Sequence, residues 1–511
     1  MGENQPALFW AQCVIQAQPV DTPTDLAQWL YAHLLAARAS LTPVGTGAAI
    51  ELLTAAYQRC PSNPQINKCL ATNLISQFGD WSTARQLLDQ AKAASTLPRE
   101  HALFDIQSQI YNGTARPETL TQAIVDYSRQ YLQPLSANQP RPTSNQQPAA
   151  RKRLGLASPL LSASPVYFLC IGALRHLAQD FDLVFFHTGK VQDWATAEFR
   201  SLASDWHEVS GLTAAALANL IRHSQLQVLL DMGGWMDLTL LQAMAQCPAQ
   251  RQYKWVGGQS ATTGLNGYSG YITDCHQSPP ETAALYTEPL AFMPDGYVTY
   301  TAPPYMPAVR CATDGNSTPF TAGIVAHPKK LSAVFMRYLR GQIRAYASAS
   351  KQPVNLCFVG WRFADALLQQ RINQMLGLNA QAQRGPVQVM YRAGHGHTQQ
   401  LELVAALDWV VDTFPYSAGV TALEALALGV PIRTHAGAHF SERHGYSHAR
   451  FAGMQHEDTL LIHLGALGSV SHRRQGQTML GSDCARLDHV SLAKSLSQLL
   501  TGPPMPRKQA L

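Results

Sequence analysis

Strand-like and helix-like runs alternate along most of this chain. Short apolar runs such as Leu183–His187 and Val228–Asp231 are followed by longer runs with apolar residues at helical spacing, such as Leu212–His223. The alternation predicts parallel sheets covered by helices, because a parallel strand needs a long crossover to return the chain to the same edge. It forms two series, one starting at Leu154 and the other at Thr321.

Both series can be assigned element by element. The first predicts helices at Val166–Asp180 and Asp193–Trp206, and the second predicts helices at Leu331–Ser348 and Arg362–Leu376. The further predicted strands are Leu154–Ala157, Tyr253–Val256, Tyr271–Thr273, Thr321–Ala326, Val354–Gly360, Val387–Tyr391, Leu407–Val411 and Ile432–Thr434.

The first 130 residues or so have helical periodicity instead. Within them, Gln65–Gln77 and Trp81–Ala94 predict a helical pair, with Pro64 before the first helix and Gly79-Asp80 between the two. This pair resembles one tetratricopeptide repeat, and a generic helical domain explains the pattern equally well. Residues 133–150 have the composition of a linker.

The composition describes a globular protein with few charges. Of its 511 residues 46% are hydrophobic and 14% are charged, and the net charge of +5 is too small to indicate nucleic-acid binding. The sequence has no run of about 18 apolar residues, so we expect no membrane span. The N-terminus lacks the basic and apolar regions of a signal peptide. Nine cysteines without a Cys-x-x-Cys pair do not indicate a disulfide framework. We therefore expect a cytoplasmic protein.

The most informative segment is Asp412-Thr-Phe-Pro-Tyr-Ser-Ala-Gly-Val-Thr421, together with the helix that follows it. The strand Leu407–Val411 runs into the acidic residue, small residues form a turn, and a helix begins at about Gly419. Unpaired amides and the positive end of the helix dipole then point above a sheet edge, which suits a diphosphate. Glu424, about one turn into the helix, can accept hydrogen bonds from ribose hydroxyls. These features predict a nucleotide-sugar site, although similar units occur throughout α/β proteins.

The same segment resembles the donor-site signature of the O-GlcNAc transferase family and of the related bacterial adhesin glucosyltransferases. Their motif contains Asp-Thr-(Phe)-Pro, small residues with Thr, an acidic residue and Gly-x-Pro, which corresponds here to Gly429-Val-Pro431. Leu229–Trp235, Gly258–Gly264 and Tyr271–Asp274 continue the resemblance, which covers roughly residues 151 to 450.

The resemblance implies an α/β chain of GT-B fold, with two Rossmann-like domains facing a cleft beyond the carboxyl ends of the strands. An all-α, partly tetratricopeptide-like N-terminal domain would dock the acceptor protein. The predicted domains are residues 1–132 (helical), 133–150 (linker), 151–315 (N-terminal Rossmann-like) and 316–511 (C-terminal, nucleotide-sugar-binding).

A lysine after the first strand of the second series is the predicted catalytic residue. In the family, a lysine at the point that matches Lys330 holds the donor diphosphate. A fixed ammonium there would stabilise the charge that develops on the departing nucleoside diphosphate. Lys329 and Lys330 could instead form a solvated helix N-terminus, where a cation is unfavourable without an anion.

The resemblance implies donor binding by further residues as well, namely Ser417, Gly419, Val420, Thr421, Glu424, His395, His397, Gly258 and Thr262. His395 and His397 would contact the nucleotide base, or else lie exposed in a loop. Asp180-Phe-Asp182 is interpreted as a strand-entry turn rather than a manganese ligand. His444 and His448 could share a helix face, but no coherent set of metal ligands is present, so we expect neither a metal nor a cofactor.

The acceptor side departs from the family pattern. The family has histidines after the first α/β strand, whereas Ser162–Phe168 has none, and neither Ser164 nor Tyr167 is a competent base unaided. We expect an inverting, metal-independent transfer of a hexose or N-acetylhexosamine from a UDP-sugar to a protein side chain. Two alternatives stay open: an inactive, transferase-like interaction protein, and a GT-B enzyme that acts on a glycan or small molecule.

Overall fold

The structure is a computed structural model, and it describes most of the chain. The described residues are Trp29, Ala32, 46–94, 98–113, 115–133, 142, 151–309, 319–349, 353–378, 386–454, 478–480 and 484–506. The predicted linker lies almost wholly outside the described residues. Across the described ranges, no helix combines the length and apolar content needed to cross a membrane.

The strands follow the predicted alternation closely. They are β1 (Lys152–Ser158), β2 (Phe181–His187), β3 (Asp205–Glu208), β4 (Val228–Asp231), β5 (Arg251–Lys254), β6 (Gly270–Thr273), β7 (Leu290–Phe292), β8 (Phe320–Val325), β9 (Val354–Val359), β10 (Val387–Arg392), β11 (Trp409–Val411) and β12 (Ile432–Arg433).

The α-helices separate most of these strands and also fill the N-terminal region. They are α1 (Thr46–Arg59), α2 (Pro64–Asn73), α3 (Trp81–Ala94), α4 (Pro98–Asn112), α5 (Pro117–Tyr127), α6 (Pro165–Asp180), α7 (Trp194–Ser201), α8 (Ala214–His223), α9 (Leu238–Ala245), α10 (Ala333–Ala349), α11 (Ala366–Leu376), α12 (Gly396–Ala405), α13 (Val420–Ala427), α14 (His444–Phe451) and α15 (His489–Thr501).

The described residues form two compact units. Unit 1 contains the described residues up to Gly113 and those from 319 to Asp408. Unit 2 contains residues 115–133, 151–309, 409–454, 478–480 and 484–506. Each unit is described by itself below.

The helical pair α2–α3 of unit 1 forms where the sequence predicts it. Asn63 begins α2 by accepting the amides of Gln65 and Ile66 at 3.0 and 3.1 Å, ahead of Pro64 in the first turn. One π-helical turn, Leu74–Phe78, extends α2 and ends at Gly79 in the left-handed conformation, with φ of 62°. Trp81, Leu70 and Leu53 lie in the buried core that joins these helices.

Unit 1 also contains three parallel strands in the order β10-β9-β8. Val325 of β8 pairs with Val359 of β9, and Val359 pairs with Arg392 of β10. All three strands therefore end at one level, and the segments that follow them leave the sheet at the same edge. This edge carries the predicted lysine and both predicted histidines.

Unit 2 contains a seven-stranded sheet in the order β3-β2-β1-β4-β5-β6-β7, in which every pair is parallel. Buried aliphatic and aromatic residues such as Leu156, Phe185 and Leu230 form its core. The pair β11–β12, which flanks the motif, is parallel as well. The sheet thus has the doubly wound character that the sequence predicts.

Helices α5 and α15 both pack on the part of unit 2 that contains the seven-stranded sheet. The hydroxyl of Thr121 on α5 donates to the carbonyl of Leu285 at 3.2 Å, and the hydroxyl of Ser128, which begins the π-helical turn after α5, donates to the carbonyl of Thr263 at 2.7 Å. The carbonyl of Gly502, directly after α15, accepts a hydrogen bond from Arg251 of β5 at 2.7 Å. Chain segments from before β1 and after the motif therefore complete this unit.

One predicted helix is wrong in its second half. The sequence predicts a helix over Asp193–Trp206, whereas α7 ends at Ser201 and Trp206 lies in the strand β3. β3 pairs in parallel with β2, with Phe185 opposite Trp206. Pairing along this strand outweighs the apolar spacing that extends the helical pattern.

Candidate functional site

The turn of the motif in unit 2 is organised by Asp412. This carboxylate is buried and accepts the hydroxyl of Ser417 at 2.5 Å, the hydroxyl of Thr434 at 2.7 Å and the amide of Ala418 at 2.7 Å. The Ser417 hydroxyl in turn accepts the amide of Gly445 at 2.8 Å. The Ser417 side chain is therefore a structural link of the turn, and its predicted part in donor binding stays a prediction.

Helix α13 begins directly after this turn, at Val420. Gly419 precedes it, and no side chain caps the helix. Among the described residues, the amides of Gly419, Val420 and Thr421 have no hydrogen-bond partner, and these residues are half-exposed. A Cβ atom added to Gly419 would meet nothing within 4 Å, so the space beside this residue is open. The unpaired amides and the positive end of the helix dipole therefore meet at this point, an arrangement that suits an anion. Donor binding by Gly419, Val420 and Thr421 stays a prediction.

Glu424 lies one turn further into α13 and is 4% exposed. Its carboxylate is close enough to Tyr300 and Tyr305 to act on both phenols. The pKa of each phenol is raised above its ordinary value, first by burial and then by the Glu424 charge. Glu424 thus faces the segment after β7. Its predicted hydrogen bonds to ribose stay a prediction.

The loop that carries Gly258 and Thr262 is joined to the motif through Ser441. The amide of Ser441 donates to the carbonyl of Ser260 at 2.9 Å, and the amide of Ser417 donates to the carbonyl of Ser441 at 2.8 Å. The structure therefore brings this predicted loop next to the predicted turn. The sequence did not predict this link, because Ser260 and Ser441 lie far apart along the chain.

Within that loop, Gly258 and Thr262 both have structural contacts. Gly258 has φ of 58°, and a Cβ atom there would lie 2.0 Å from the carbonyl oxygen of Gly233, so only glycine fits. The hydroxyl of Thr262 is fully buried and donates to the Glu288 carboxylate at 2.7 Å. Their predicted contacts with the donor stay predictions.

A lysine is buried at the carboxyl end of β5. The Nζ atom of Lys254 donates to the carbonyls of Asp231 and Trp255 at 2.9 Å and of Gly257 at 2.6 Å. Burial lowers the pKa of Lys254 to about 8, and the carboxylates of Asp231 and Glu288 oppose that shift. This lysine fixes the backbone of the Gly257-Gly258 turn.

His444 and His448 on α14 are buried, so an exposed helix face does not explain them. Burial, Arg486 and His444 hold the pKa of His448 well below its ordinary value. Arg486 pairs with Asp274 at 3.1 Å, and both side chains are fully buried. In the part of the chain that the structure describes, no group of three or more His, Cys, Asp or Glu residues could hold a metal.

In unit 1, Lys330 lies on a 3₁₀ turn, Pro328–Lys330, between β8 and α10. His327 begins this turn, and its Nδ1 atom accepts the amide of Lys329 at 3.2 Å. The pKa of His327 is lowered to about 2 by burial and by the positive charges of Arg362, Lys329 and Lys330. His327 is therefore neutral at physiological pH, and three cations surround it.

Arg362 is the residue at this edge that the sequence analysis missed. It follows β9 and lies with its Cζ atom 3.9 Å from the ring centroid of Trp361. Its Nε atom is buried without a hydrogen-bond partner in the structure. Its place follows from strand register, which the sequence alone does not show: Arg362 stands three residues after Val359, and Val359 pairs with Val325, just before the turn Pro328–Lys330.

His395 and His397 stand at the start of α12, after β10. His395 precedes the helix and is exposed, and its amide donates to the Gln399 side chain at 2.8 Å. His397 is half-buried in the first turn. Both lie at the edge that carries Lys330 and Arg362, because their strands end at one level.

The fold was then compared with solved structures. An O-GlcNAc transferase mutant from Thermobaculum terrenum matches with a TM-score of 0.73 and 21% identity, covering 98% of this chain and 95% of that chain. At this identity the match shows the fold alone. With its parallel sheets, covering helices and N-terminal helical region, the chain has the GT-B-like architecture that the sequence predicts.

Sequence comparison finds relatives among plant proteins, whereas no model of a known protein family matches the chain. The Arabidopsis thaliana protein named "Probable UDP-N-acetylglucosamine--peptide N-acetylglucosaminyltransferase SPINDLY" is 26% identical over 365 residues, which is 69% of this chain and 37% of that protein. Its Petunia hybrida namesake is 27% identical over 322 residues, which is 61% of this chain and 33% of the relative. The chain thus spans about a third of the length of these relatives.

The chain therefore has a GT-B-like fold, and the solved structure and the plant relatives that it resembles are both named as transferases of N-acetylglucosamine. The similarities support the O-GlcNAc transferase-like family, and the resemblance predicted from the motifs is confirmed.

Proposed function

We propose that this chain is an inverting, metal-independent glycosyltransferase that moves a hexose or N-acetylhexosamine from a UDP-sugar to a protein side chain. The observation that carries the proposal is the start of α13. The amides of Gly419, Val420 and Thr421 have no partner among the described residues, and the space beside Gly419 is open. Such a helix start binds the diphosphate of a nucleotide through directed N–H groups and the helix dipole.

The proposed positive charge comes from Lys330 and Arg362, at the edge of unit 1 where β8 and β9 end. In the transfer, an acceptor hydroxyl oxygen forms a bond to the anomeric carbon and gives its proton to the donor phosphate, and the bond from that carbon to the diphosphate oxygen breaks. UDP leaves with the electron pair, so negative charge develops on its diphosphate. The ammonium of Lys330 and the guanidinium of Arg362 would stabilise this charge, which removes the need for a metal.

The helical region supports a protein acceptor. Helices α2 and α3 form a tetratricopeptide-like pair that shares a buried core with α1 and α4, and a small acceptor needs no such helical region. We propose that the acceptor protein docks on this region, and that the enzyme is cytoplasmic.

Calorimetric titration of UDP, with a chelator and no added metal, tests the donor site. We expect micromolar binding to the wild type and roughly tenfold weaker binding to Lys330→Ala, because a charged hydrogen bond contributes about 1.5 kcal/mol. Arg337→Ala is the matched control, because Arg337 is an exposed cation on α10. If the wild type does not bind UDP, the proposal is wrong.

One observation favours a rival function, that of a nucleotide-binding protein without transferase activity. In Ser162–Phe168, where the family resemblance leads us to expect histidines, the Ser164 hydroxyl donates to the carbonyl of Leu160 at 2.9 Å. The Tyr167 hydroxyl is bound to Glu198, and burial and that carboxylate raise its pKa above the ordinary value. Neither group is ready to accept a proton from an acceptor hydroxyl.

Mass spectrometry separates the two functions. Lysate proteins are incubated with the chain and either UDP-glucose or UDP-N-acetylglucosamine. A transferase adds a hexose or N-acetylhexosamine mass to polypeptides, and Lys330→Ala reduces the yield. Binding of UDP without any such mass would establish the rival.

A further inference from the structure

Two turns that lie far apart in the sequence are in direct contact within unit 1. One is Phe78–Trp81, between the tetratricopeptide-like helices, and the other is the lysine turn Pro328–Lys330. The indole Nε1 of Trp81 donates to the carbonyl of Lys329 at 3.0 Å. A Cβ atom added to Gly79 would lie 2.3 Å from the carbonyl oxygen of Pro328, so the backbones touch and only glycine fits there.

Aromatic residues extend this contact. The ammonium of Lys329 lies 4.9 Å from the ring centroid of Tyr111 on α4, a distance typical of a cation–π interaction. Tyr111 stacks on Trp81 with 5.3 Å between the ring centroids. Trp81 is 5% exposed, so its indole is held by packing as well as by its hydrogen bond.

An ion pair ties the same helical turn to the segment after β9. Asp80 lies 3.0 Å from Arg371 on α11. The Asp80 side chain also begins α3, since it accepts the amide and hydroxyl of Thr83 at 3.2 and 2.8 Å. The start of α3 is thereby anchored to the α/β part of unit 1.

This contact bears directly on Lys330. The carbonyl that Trp81 holds belongs to the peptide unit that joins Lys329 to Lys330, and a peptide unit is planar. The N–H group of Lys330 in that plane donates to the carbonyl of His327 at 2.9 Å. Fixing one side of the plane fixes the other, so the indole sets the direction in which the Lys330 backbone leaves the turn.

We infer that the Phe78–Trp81 turn of the helical region is a positioning element for Lys330, so that donor binding and the helical region are energetically coupled through Trp81. The inference rests on the proposed function, in which Lys330 binds the donor diphosphate. Trp81 does not itself touch the donor. Its effect acts through the lysine turn, and it depends on the indole N–H group rather than on the aromatic bulk.

The test uses Trp81→Phe, which keeps an aromatic ring and removes the N–H donor. The control is Tyr57→Phe, which removes another side-chain hydrogen bond of the helical region, the 2.8 Å bond to Gln90. We expect UDP to bind about fivefold more weakly to Trp81→Phe, because one neutral hydrogen bond contributes about 1 kcal/mol. Binding of uridine, which lacks the diphosphate, is expected to stay unchanged in both variants.

A double-mutant cycle distinguishes positioning from a general loss of structure. In a Lys330→Ala background, Trp81→Phe is expected to have no further effect on UDP affinity, because the group that it positions is absent. An equal loss in both backgrounds would overturn the inference. So would unchanged UDP affinity in Trp81→Phe while the wild type binds UDP.

Amide hydrogen exchange gives a readout that needs no nucleotide. In Trp81→Phe the amides of Lys330 and Ser332, which are hydrogen-bonded within the lysine turn, are expected to exchange faster, and in Tyr57→Phe they are not. If the wild type fails to bind UDP, the proposed function is wrong, and this exchange decides the inference separately. Unchanged exchange in Trp81→Phe would then overturn the positioning role.

Discussion

The Oδ2 atom of Asp412 lies 2.5 Å from the hydroxyl oxygen of Ser417, and this pair determines the shape of the motif turn. Because the other Asp412 oxygen accepts the Ala418 amide, the carboxylate closes the turn just before α13 begins. The acidic residue of the motif therefore acts on the start of α13 through the backbone. Its role is to present the amides of Gly419 to Thr421.

Asp412→Asn is expected to destabilise the fold and to weaken UDP binding. The amide side chain cannot accept all three donors, so at least one buried hydrogen bond is lost, at about 2 kcal/mol. Urea unfolding monitored by tryptophan fluorescence measures this loss. Asp295→Asn is the control, because Asp295 is exposed and accepts one hydroxyl, that of Ser491 at 2.6 Å. Equal stability of the two variants would contradict the anchoring role.

Glu424→Ala is expected to weaken binding of the ribose without weakening binding of the diphosphate. If Glu424 accepts the ribose hydroxyls, UDP affinity falls by about tenfold or more, since bonds to a charged acceptor contribute about 1.5–3 kcal/mol. Pyrophosphate lacks the ribose, so its affinity is expected to change little. Calorimetry with both ligands makes the comparison. A similar loss for both ligands would show that Glu424 supports the fold of α13 instead, and the exposed Glu402→Ala on α12 is the control.

Arg362→Ala is expected to weaken UDP binding and to make it less sensitive to salt. The guanidinium would interact with the diphosphate as a charge, and screening by ions reduces such interactions. We expect about a fivefold loss at low salt and a smaller one at about 1 M salt. Arg362→Lys is expected to recover part of the affinity, because it keeps the charge without the fork geometry. Parallel salt curves for the variant and the wild type would rule out this contact.

The buried Lys254 predicts a specific dependence of stability on pH. Its pKa is about 8 in the folded chain and about 10.4 when unfolded. Between these values the unfolded state binds more protons, so stability rises with pH. Below the folded pKa the cost of burying the charge is fully present.

Unfolding free energies of the wild type and of Lys254→Met, measured from about pH 7 to about pH 10.5, test this. The wild type is expected to gain about 3 kcal/mol relative to the variant across that window, since one pKa unit corresponds to about 1.36 kcal/mol. The prediction concerns how the difference in unfolding free energy changes with pH. Its absolute size has a second cause, because Lys254→Met also leaves backbone carbonyls without a donor. A pH-independent difference would show that Lys254 titrates normally.

The sequence predicts the strands and the motif helix well, because both follow from local patterns. Val228–Asp231 and the start of α13 lie where periodicity and small residues place them. β3 is missed, because four residues of an edge strand are too few to show a period of two. Whether a side chain faces a ligand or the core is also beyond local patterns, as the buried Ser417 and Thr262 show.

Arg362 was missed for a different reason. No motif surrounds it, and its place next to the lysine turn depends on the pairing of β8 with β9. That pairing joins residues separated by an entire helix. Sequence reasoning found the lysine only because the family resemblance identified its position.

The indole–carbonyl contact between Trp81 and Lys329 also has a consequence for how the chain is assembled. Its two partners are 248 residues apart in the sequence, so closing this contact requires a long loop, and such contacts form late in folding. During synthesis the helical pair must wait until the strands after residue 319 have emerged. A shortened protein that starts after the helical region would keep Lys330 but lose the indole that holds the peptide unit before it.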